Sequence, residues 1–168
     1  MLQEAVRING LTNCVLLNCA LSSQTGQAAF ISAGGASRIA VDDPTNKNLV
    51  RVEAVSLSSV FERIQGLNFR QIKLIKLDIE GGEVNVVGDL LQVLQDNRQV
   101  VIEIAAYHLF QGQPTWRWIE ERCRGQGDIA FKTTYPIHTT TILAHVENHL
   151  ALDRMKRLPK YDEHVTTA

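Results

Sequence analysis

Residues 73–91, KLIKLDIEGGEVNVVGDLL, join a short apolar run to two acids, two glycines and then a run with helical periodicity. In the second half of this segment, apolar residues recur at three- and four-residue intervals, at Val84, Val87, Leu90 and Leu91. This spacing is typical of an amphipathic helix with one buried face. The segment therefore predicts a buried strand that ends at an acidic turn and continues into a helix.

The same alternation of helix and strand extends through the second half of the chain. SLSSVFERIQG predicts a short helix that begins at Ser58 or Ser59 and ends at Gly66. After the acidic turn and its helix, QVVIEIAAY predicts a strand, TWRWIEERCRGQG a threonine-capped helix, and HTTTILAHV a strand of β-branched residues. Parallel strands need helical crossovers, so this order predicts an α/β fold with a parallel sheet covered by helices on both faces.

The first half of the chain has a less regular pattern. LQEAVRING, residues 2–10, predicts the end of a helix at its Asn-Gly stop. CVLLNCALS, residues 14–22, is short and apolar and predicts a buried strand that runs into a turn. The segments AAFISAG and VRVEAVSL flank a polar middle and predict an antiparallel excursion from the main sheet.

The composition limits the kind of partner that the chain can have. The 168 residues are 45% hydrophobic, which predicts one compact domain. A formal net charge of -1 gives no electrostatic reason to expect nucleic acid or an anionic membrane as the main partner. No apolar segment approaches the roughly 20 residues needed to cross a bilayer, and Glu4 and Arg7 interrupt the N-terminus. We therefore expect a cytoplasmic protein that acts on a small or neutral partner.

The three cysteines, Cys14, Cys19 and Cys123, are an odd number and have no CxxC spacing. Neither a disulfide framework nor a zinc site is indicated by this pattern. Buried, reduced thiols are the expectation.

The acidic turn itself allows two interpretations. Asp78 and Glu80 would project on the same side of a continuing strand, and Glu83 would be an acid in the first turn of the helix. The acids then either complement the positive end of the helix dipole or, as carboxylates do for Mg²⁺, bind a cation. The sequence shows no second acidic cluster near the first, so no metal ligands are assigned at this stage.

The motifs along the chain resemble those of FkbM-type methyltransferases. IKLDIEGGEVNVVGDLLQVL is similar to the signature "iKiDvEGaE" strand end of that family and the helix that follows it. NGLTNCVLLNCALSS, VEAVSLSSVF and QVVIEI are similar, in the same order, to three further family segments. The resemblance covers about residues 1–106 in register.

The resemblance implies a fold, a cofactor and a reaction. The family has a Rossmann-like class I methyltransferase sheet, uses S-adenosylmethionine, and mostly methylates hydroxyl oxygens, here on a small molecule or a sugar. By the same likeness Asp78 faces the reacting centre, with Glu80, Gly81, Gly82 and Glu83 shaping the turn. The adenine side would be lined by Ala20, Leu21 and Ser22, although Ser23 stands where the family usually has an acid.

Methyl transfer to oxygen needs an in-line approach to the sulfonium and a group that accepts the hydroxyl proton. Asp78 and Glu80 are the first candidates for this role. His108, which follows the next predicted strand, is a further candidate base. The predicted catalytic residues are therefore Asp78, Glu80 and His108, and the predicted cofactor contacts are Ala20, Leu21, Ser22, Asp78 and Gly81.

The sequence contains no strand followed by the Gly-rich turn that holds the methionine end of the cofactor in this fold. SAGGAS, residues 32–37, does not substitute, because no strand-turn-helix pattern surrounds it. We therefore expect an N-terminally truncated domain over residues 1–150, followed by a polar C-terminal tail over residues 151–168. Loss of the central first strand would separate CVLLNCALS from IKLIKLDI, unless another segment or chain supplied it.

A non-catalytic remnant or interaction module that binds no cofactor is the alternative function.

Overall fold

The computed structural model describes residues 2–31, 38–39, 49–134 and 139–159. Over these ranges the chain forms two four-stranded sheets, a two-stranded hairpin and helices that pack on the sheets. The mixed α/β class agrees with the sequence-based prediction.

The first sheet contains β1 (Ala20–Leu21), β2 (Gly26–Ile31), β3 (Arg38–Ile39) and β4 (Leu49–Val55). Its strand order is β1-β4-β2-β3, with β1 parallel to β4 and β2 antiparallel to both β3 and β4. The antiparallel excursion predicted from AAFISAG and VRVEAVSL is confirmed for the part of it that the structure describes, whereas residues 32–34 lie outside the described residues. The helix α1 (Leu2–Ile8) precedes the sheet and ends at Asn9-Gly10 as predicted, but none of its side chains is buried.

The prediction of a buried strand over residues 14–22 is wrong for most of its length. Strand pairing is confined to Ala20 and Leu21, and Val15 is 63% exposed. Within the described part of the chain, residues 14–17 have no strand beside them, and an isolated apolar run cannot form a sheet. The expectation of buried thiols also fails for Cys14, which is exposed, and for Cys19, which is half-buried. Cys123 is buried, and burial raises the pKa of its thiol to about 11.

The second sheet contains β5 (Leu74–Leu77), β6 (Val101–Ala105), β9 (Ile129–Thr134) and β10 (Thr140–His145). Its strand order is β5-β6-β10-β9. The β5–β6 pair is parallel, as predicted, whereas β10 is antiparallel to both β6 and β9. The expectation of a wholly parallel sheet is thus wrong, because β9 was not predicted. Only residues 135–139 separate β9 from β10, which is too short a connection for a parallel crossover.

Helices cover both faces of the second sheet. The apolar side chains of α3 (Glu83–Asp96) and α4 (Thr115–Arg124) pack with Ile102, Ile104 and Leu143 in the main core. The helix α5 (His149–Arg157) packs against the alternate side chains of the same strands. This alternation is the two-residue period of a strand that is buried on both sides.

Two helix boundaries differ slightly from prediction. The helix α2 (Leu57–Arg63) is capped by Ser56, whose side chain accepts a hydrogen bond from the backbone N–H of Ser59, so it begins and ends before the predicted positions. In α4, Pro114 occupies the cap position and Thr115 is the first helical residue. Pro114 has an extended backbone, with φ of -58° and ψ of 138°, and makes no side-chain cap hydrogen bond, so the predicted threonine cap is wrong.

The predicted C-terminal tail begins inside α5 rather than after the folded part. Ala151 and Met155 are buried, and the Nζ of Lys132 donates hydrogen bonds to the carbonyl oxygens of Met155 and Leu158. Residues 160–168 of that tail lie outside the described residues. Across the described ranges, no helix has both the length and the apolarity that crossing a bilayer would require.

The strands β1 and β5 lie in different sheets, each at a sheet edge. Leu21 of β1 nevertheless packs against the same core as Leu77 of β5. A hairpin of β7 (Leu109–Phe110) and β8 (Gln113–Pro114) connects β6 to α4 and lies beside the end of β5.

Candidate functional site

The candidate site begins at the turn between β5 and α3, residues 78–82, which we call the acidic elbow. Its backbone takes positive φ angles at two consecutive residues, 55° at Glu80 and 96° at Gly81. Glycine adopts such angles freely, but a residue with a Cβ pays a steric penalty of about 1–2 kcal/mol in this region. The elbow therefore holds Glu80 in a backbone conformation that a glycine would adopt more easily.

Glu83, the first residue of α3, contacts the acidic elbow from its buried side. Its side chain is fully buried, and its Oε1 accepts a hydrogen bond of 3.0 Å from the backbone N–H of Ile79. An acid at this position also faces the positive end of the helix dipole, as predicted. Its complete burial was not predicted, since a first-turn acid is usually exposed to solvent.

His108 joins this cluster from the neighbouring strand. Because β5 and β6 are parallel neighbours, the residues that follow them meet at one edge of the sheet. The Nδ1 of His108 lies 2.9 Å from Oε1 of Glu83. Its Nε2 lies 3.6 Å from Oδ1 of Asp78 and 3.5 Å from Oε2 of Glu80. The three predicted catalytic residues are thus brought together, and Glu83 is added to them.

The four side chains of the site differ in their exposure to solvent. The side chains of Glu83 and His108 are 0% and 8% exposed, whereas those of Glu80 and Asp78 are 28% and 50% exposed. The carboxylates of Asp78 and Glu80 therefore form the solvent-facing part of the site, above a buried floor made of His108 and Glu83.

Close backbone packing positions His108. A Cβ built on Gly81 would lie 3.3 Å from the carbonyl oxygen of Leu109 and 4.0 Å from the Cβ of His108. The carbonyl oxygen of His108 also accepts a hydrogen bond of 2.8 Å from the backbone N–H of Thr115 at the start of α4. The glycine predicted as a cofactor contact thus lets the segment carrying His108 approach the elbow.

Tyr107 completes the rim of the site. Its ring centroid is 4.2 Å from that of His108, and its hydroxyl lies 3.5 Å from Oδ1 of Asp78. Partial burial and then the negative charges of Asp78 and Glu80 raise the pKa of Tyr107 above its ordinary value. The phenol therefore stays protonated at neutral pH and can donate a hydrogen bond to a ligand or to a carboxylate.

Comparison with known protein families agrees with this architecture. The model of the FkbM methyltransferase domain matches residues 4–129. The chain belongs to the FkbM methyltransferase family. The match includes the acidic elbow, His108 and the whole of α4, and it extends past residue 106, where the recognised motifs end. Neither a curated protein nor a solved structure gives a significant match to this chain.

Membership of the FkbM family indicates methyltransferase activity, and this family typically uses S-adenosylmethionine. The residues predicted to contact that cofactor fall into two groups in the structure. Asp78 and Gly81 belong to the acidic elbow, whereas Ala20 and Leu21 form β1 in the other sheet. Ser22 follows β1, and its backbone N–H donates to the carbonyl oxygen of Val55.

The β1 group adjoins a cavity of about 380 Å³ in the first sheet. Ala20 lines it together with Cys19, Phe30, Arg51 and Glu53. Leu21 instead packs toward the main core. Of the predicted contacts in β1, Ala20 is therefore the one that faces an open cavity.

Proposed function

We propose that this chain carries the acceptor side of an S-adenosylmethionine-dependent methyltransferase, which methylates a hydroxyl of a small molecule or a sugar. The observation that carries the proposal is the meeting of Asp78, Glu80 and His108 at one sheet edge, within the motif that the family shares. In open α/β sheets, ligands bind beyond the carboxyl ends of the strands, which is where this cluster lies.

The residues present suit the two ends of the cofactor. The carboxylates of the elbow offer negative charge to a cationic group, and the cavity in the first sheet offers a flat base the ring of Phe30 beside the polar side chains of Arg51 and Glu53. S-adenosylmethionine, when bound, supplies a methyl group carried on a positively charged sulfur. We infer that Asp78 and Gly81 lie at its reacting end and that Ala20 faces its adenine end, while Leu21 and Ser22 hold β1 in place from the core and from Val55.

The acceptor hydroxyl must lose its proton as the new bond to oxygen forms. Glu80 is the best placed residue for this step, since its carboxylate is partly exposed and lies on the solvent side of His108. Tyr107 can donate a hydrogen bond that orients the acceptor, and the buried floor of His108 and Glu83 fixes the position of the carboxylates above it. His108 is then a positioning residue rather than the base.

We infer that a further segment lies between the two sheets. Among the described residues, β1 and β5 each have one edge without a neighbouring strand, in different sheets, and α1 has no buried side chain. Ile8, Leu11 and Val15, in the segment that precedes β1, are exposed apolar residues. A strand from another part of the protein or from another chain would cover these groups and add the Gly-rich turn that binds the methionine end of the cofactor.

The test is transfer of labelled methyl groups from S-adenosylmethionine to a panel of sugars and small alcohols. We expect methyl ether products, and we expect Glu80→Gln to lower kcat by about 10²- to 10⁴-fold, the usual contribution of a general base. Glu62→Gln, at an exposed acid on α2, is the matched control and should leave kcat unchanged.

The separation of β1 from β5 also favours, as a second candidate, a non-catalytic module. The two candidates differ in cofactor binding. Absence of any heat in calorimetry with millimolar S-adenosylmethionine, together with absence of methyl transfer, would overturn enzyme activity for this chain acting alone and support the module.

A further inference from the structure

We propose that Asp78, Glu83 and His108 form a binding site for a first-row divalent cation such as Mn²⁺ or Zn²⁺. One ligand atom from each of the three side chains lies within 4.8 Å of the ligand atoms of the other two. They come from three separate places in the chain: the end of β5, the first residue of α3 and the segment after β6. The sequence indicated Asp78 and His108 as candidate catalytic residues, but it did not show that both meet a buried Glu83.

The second observation is a set of buried polar atoms that lack a partner. Within the described residues, Oε2 of Glu83 and both ring nitrogens of His108 are buried and form no hydrogen bond. A buried polar atom left without a partner costs about 1–3 kcal/mol, and a charged one costs more. An unpartnered carboxylate oxygen and an unpartnered ring nitrogen on two adjacent buried side chains indicate that a ligand such as a cation can bind here, through one of the two ring nitrogens.

A simple hydrogen bond between Glu83 and His108 does not account for these atoms. Nδ1 of His108 is close enough to Oε1 of Glu83, at 2.9 Å, but the contact lacks the direction that an N–H bond requires. Oε1 is already engaged by the backbone N–H of Ile79, which leaves Oε2 of Glu83 available. A cation can accept electron pairs from Oε2, from an imidazole nitrogen and from Asp78 at the same time.

The ligand types determine which cations suit the site. Carboxylates alone favour Mg²⁺ or Ca²⁺, whereas an imidazole adds preference for transition metals, and one imidazole with two carboxylates suits Mn²⁺ and Zn²⁺. Ligand atoms about 2.0–2.2 Å from such an ion lie at most about 4.4 Å apart, so a small inward movement of the side chains completes the site. Asp78 is half exposed and can make this movement.

The cation would occupy the floor of the site and leave Glu80 outside its ligand set, since Glu80 does not belong to the converging group. Positions on the ion that protein atoms do not fill would face the opening beside Asp78. An oxygen of the acceptor could bind there, and only this last step rests on the proposed methyltransferase function.

The experiment is titration of the chelator-treated full chain with MnCl₂ and, separately, ZnCl₂, followed by calorimetry and, for Mn²⁺, by electron paramagnetic resonance. We expect one ion per chain. Asp78→Asn and His108→Gln should each weaken binding at least about 100-fold, because removing even an outer-shell partner of a ligand costs about 10- to 100-fold. The matched controls are Asp128→Asn and His149→Gln, at exposed positions, and these should change the dissociation constant less than about twofold, since they remove no ligand.

Circular dichroism of each variant shows whether the fold is kept, and Asp78→Asn serves as the decisive variant if His108→Gln unfolds. No binding at millimolar metal would overturn the site. Equal binding by the wild type and Asp78→Asn would place the ion elsewhere and would also overturn it. Because the titration uses neither cofactor nor acceptor, its result is independent of whether methyl transfer is found.

Discussion

Nδ1 of His108 and Oε1 of Glu83 lie 2.9 Å apart, although one residue follows β6 and the other begins α3. Glu83 also accepts the backbone N–H of Ile79, so a single buried carboxylate contacts the acidic elbow and the neighbouring strand end. The geometry of the candidate site therefore depends on Glu83 more than on the exposed acids.

Replacement of Glu83 by alanine should lower the free energy of unfolding by about 1–3 kcal/mol. The backbone N–H of Ile79 loses its acceptor in this variant, and a polar group in a buried setting is left unpaired. Glu83→Gln keeps an oxygen that can accept this hydrogen bond and should cost less than Glu83→Ala. Urea unfolding followed by circular dichroism measures both values. Equal losses in the two variants would contradict the role assigned to the carboxylate oxygen.

Gly81→Ala should destabilise the protein more than Gly112→Ala. Both glycines have positive φ angles, 96° and 77°, so each alanine carries a backbone penalty of about 1–2 kcal/mol. Only at Gly81 would the new Cβ lie 3.3 Å from the carbonyl oxygen of Leu109, whereas no described atom lies within 4 Å at Gly112. Urea unfolding gives the difference, and the NMR signals of the His108 ring should shift in Gly81→Ala alone. A larger loss of stability in Gly112→Ala than in Gly81→Ala would contradict the close contact between Gly81 and Leu109 as a cause of destabilisation.

Glu80→Gly should stabilise the protein by about 1 kcal/mol and, under the proposed function, should abolish most of the methyl transfer. The glycine relieves the positive φ of 55° and removes the carboxylate in the same change. Gln111→Gly is the matched control, because Gln111 has a φ of 51° in the hairpin turn and no place in the site. It should give a similar gain in thermal stability with unchanged kcat. Loss of stability in Glu80→Gly would mean that the side chain contributes more to the fold than its backbone strain costs.

The pKa of Tyr107 should lie above the ordinary value of about 10 for tyrosine. Burial and the charges of Asp78 and Glu80 disfavour the phenolate in the folded state. Above pH 10 the unfolded chain therefore releases this proton first, and the contribution of Tyr107 to stability is lost as the pH rises through its folded pKa. The difference between the absorbance titrations of wild type and Tyr107→Phe isolates this group. In Asp78→Asn its pKa should move back toward 10, and an unchanged value would exclude Asp78 as a cause.

Local patterns in the sequence were enough to predict most of the secondary structure around the site. The spacing of Val84, Val87, Leu90 and Leu91 predicted α3, because one helical face must be apolar to pack on a sheet. The apolar run before Asp78 predicted β5 and its end. The motifs also identified the FkbM family, which the match over residues 4–129 confirms.

Pairing between strands was not predictable in the same way. Residues 14–17 have the composition of a buried strand and are not one, because strand formation depends on a neighbour that provides hydrogen bonds and apolar cover. β10 is antiparallel because a short connection joins it to β9. The sequence of β9, IAFKTT, has no clear alternation of apolar and polar residues, so this strand was not predicted. A pattern reports which side of a segment is apolar, and it carries no information about which segment lies next to it.

The sequence by itself determined the helices α2 to α4, the end of β5 and the kinds of side chain at the acidic elbow, because these depend on residues close together in the chain. Only the tertiary structure placed His108 against Glu83, Asp78 and Glu80. That contact requires β5 and β6 to be parallel neighbours and requires Gly81 to admit the backbone of Leu109. Proximity between residues 25 positions or more apart is a property of packing, and the candidate site exists only through it.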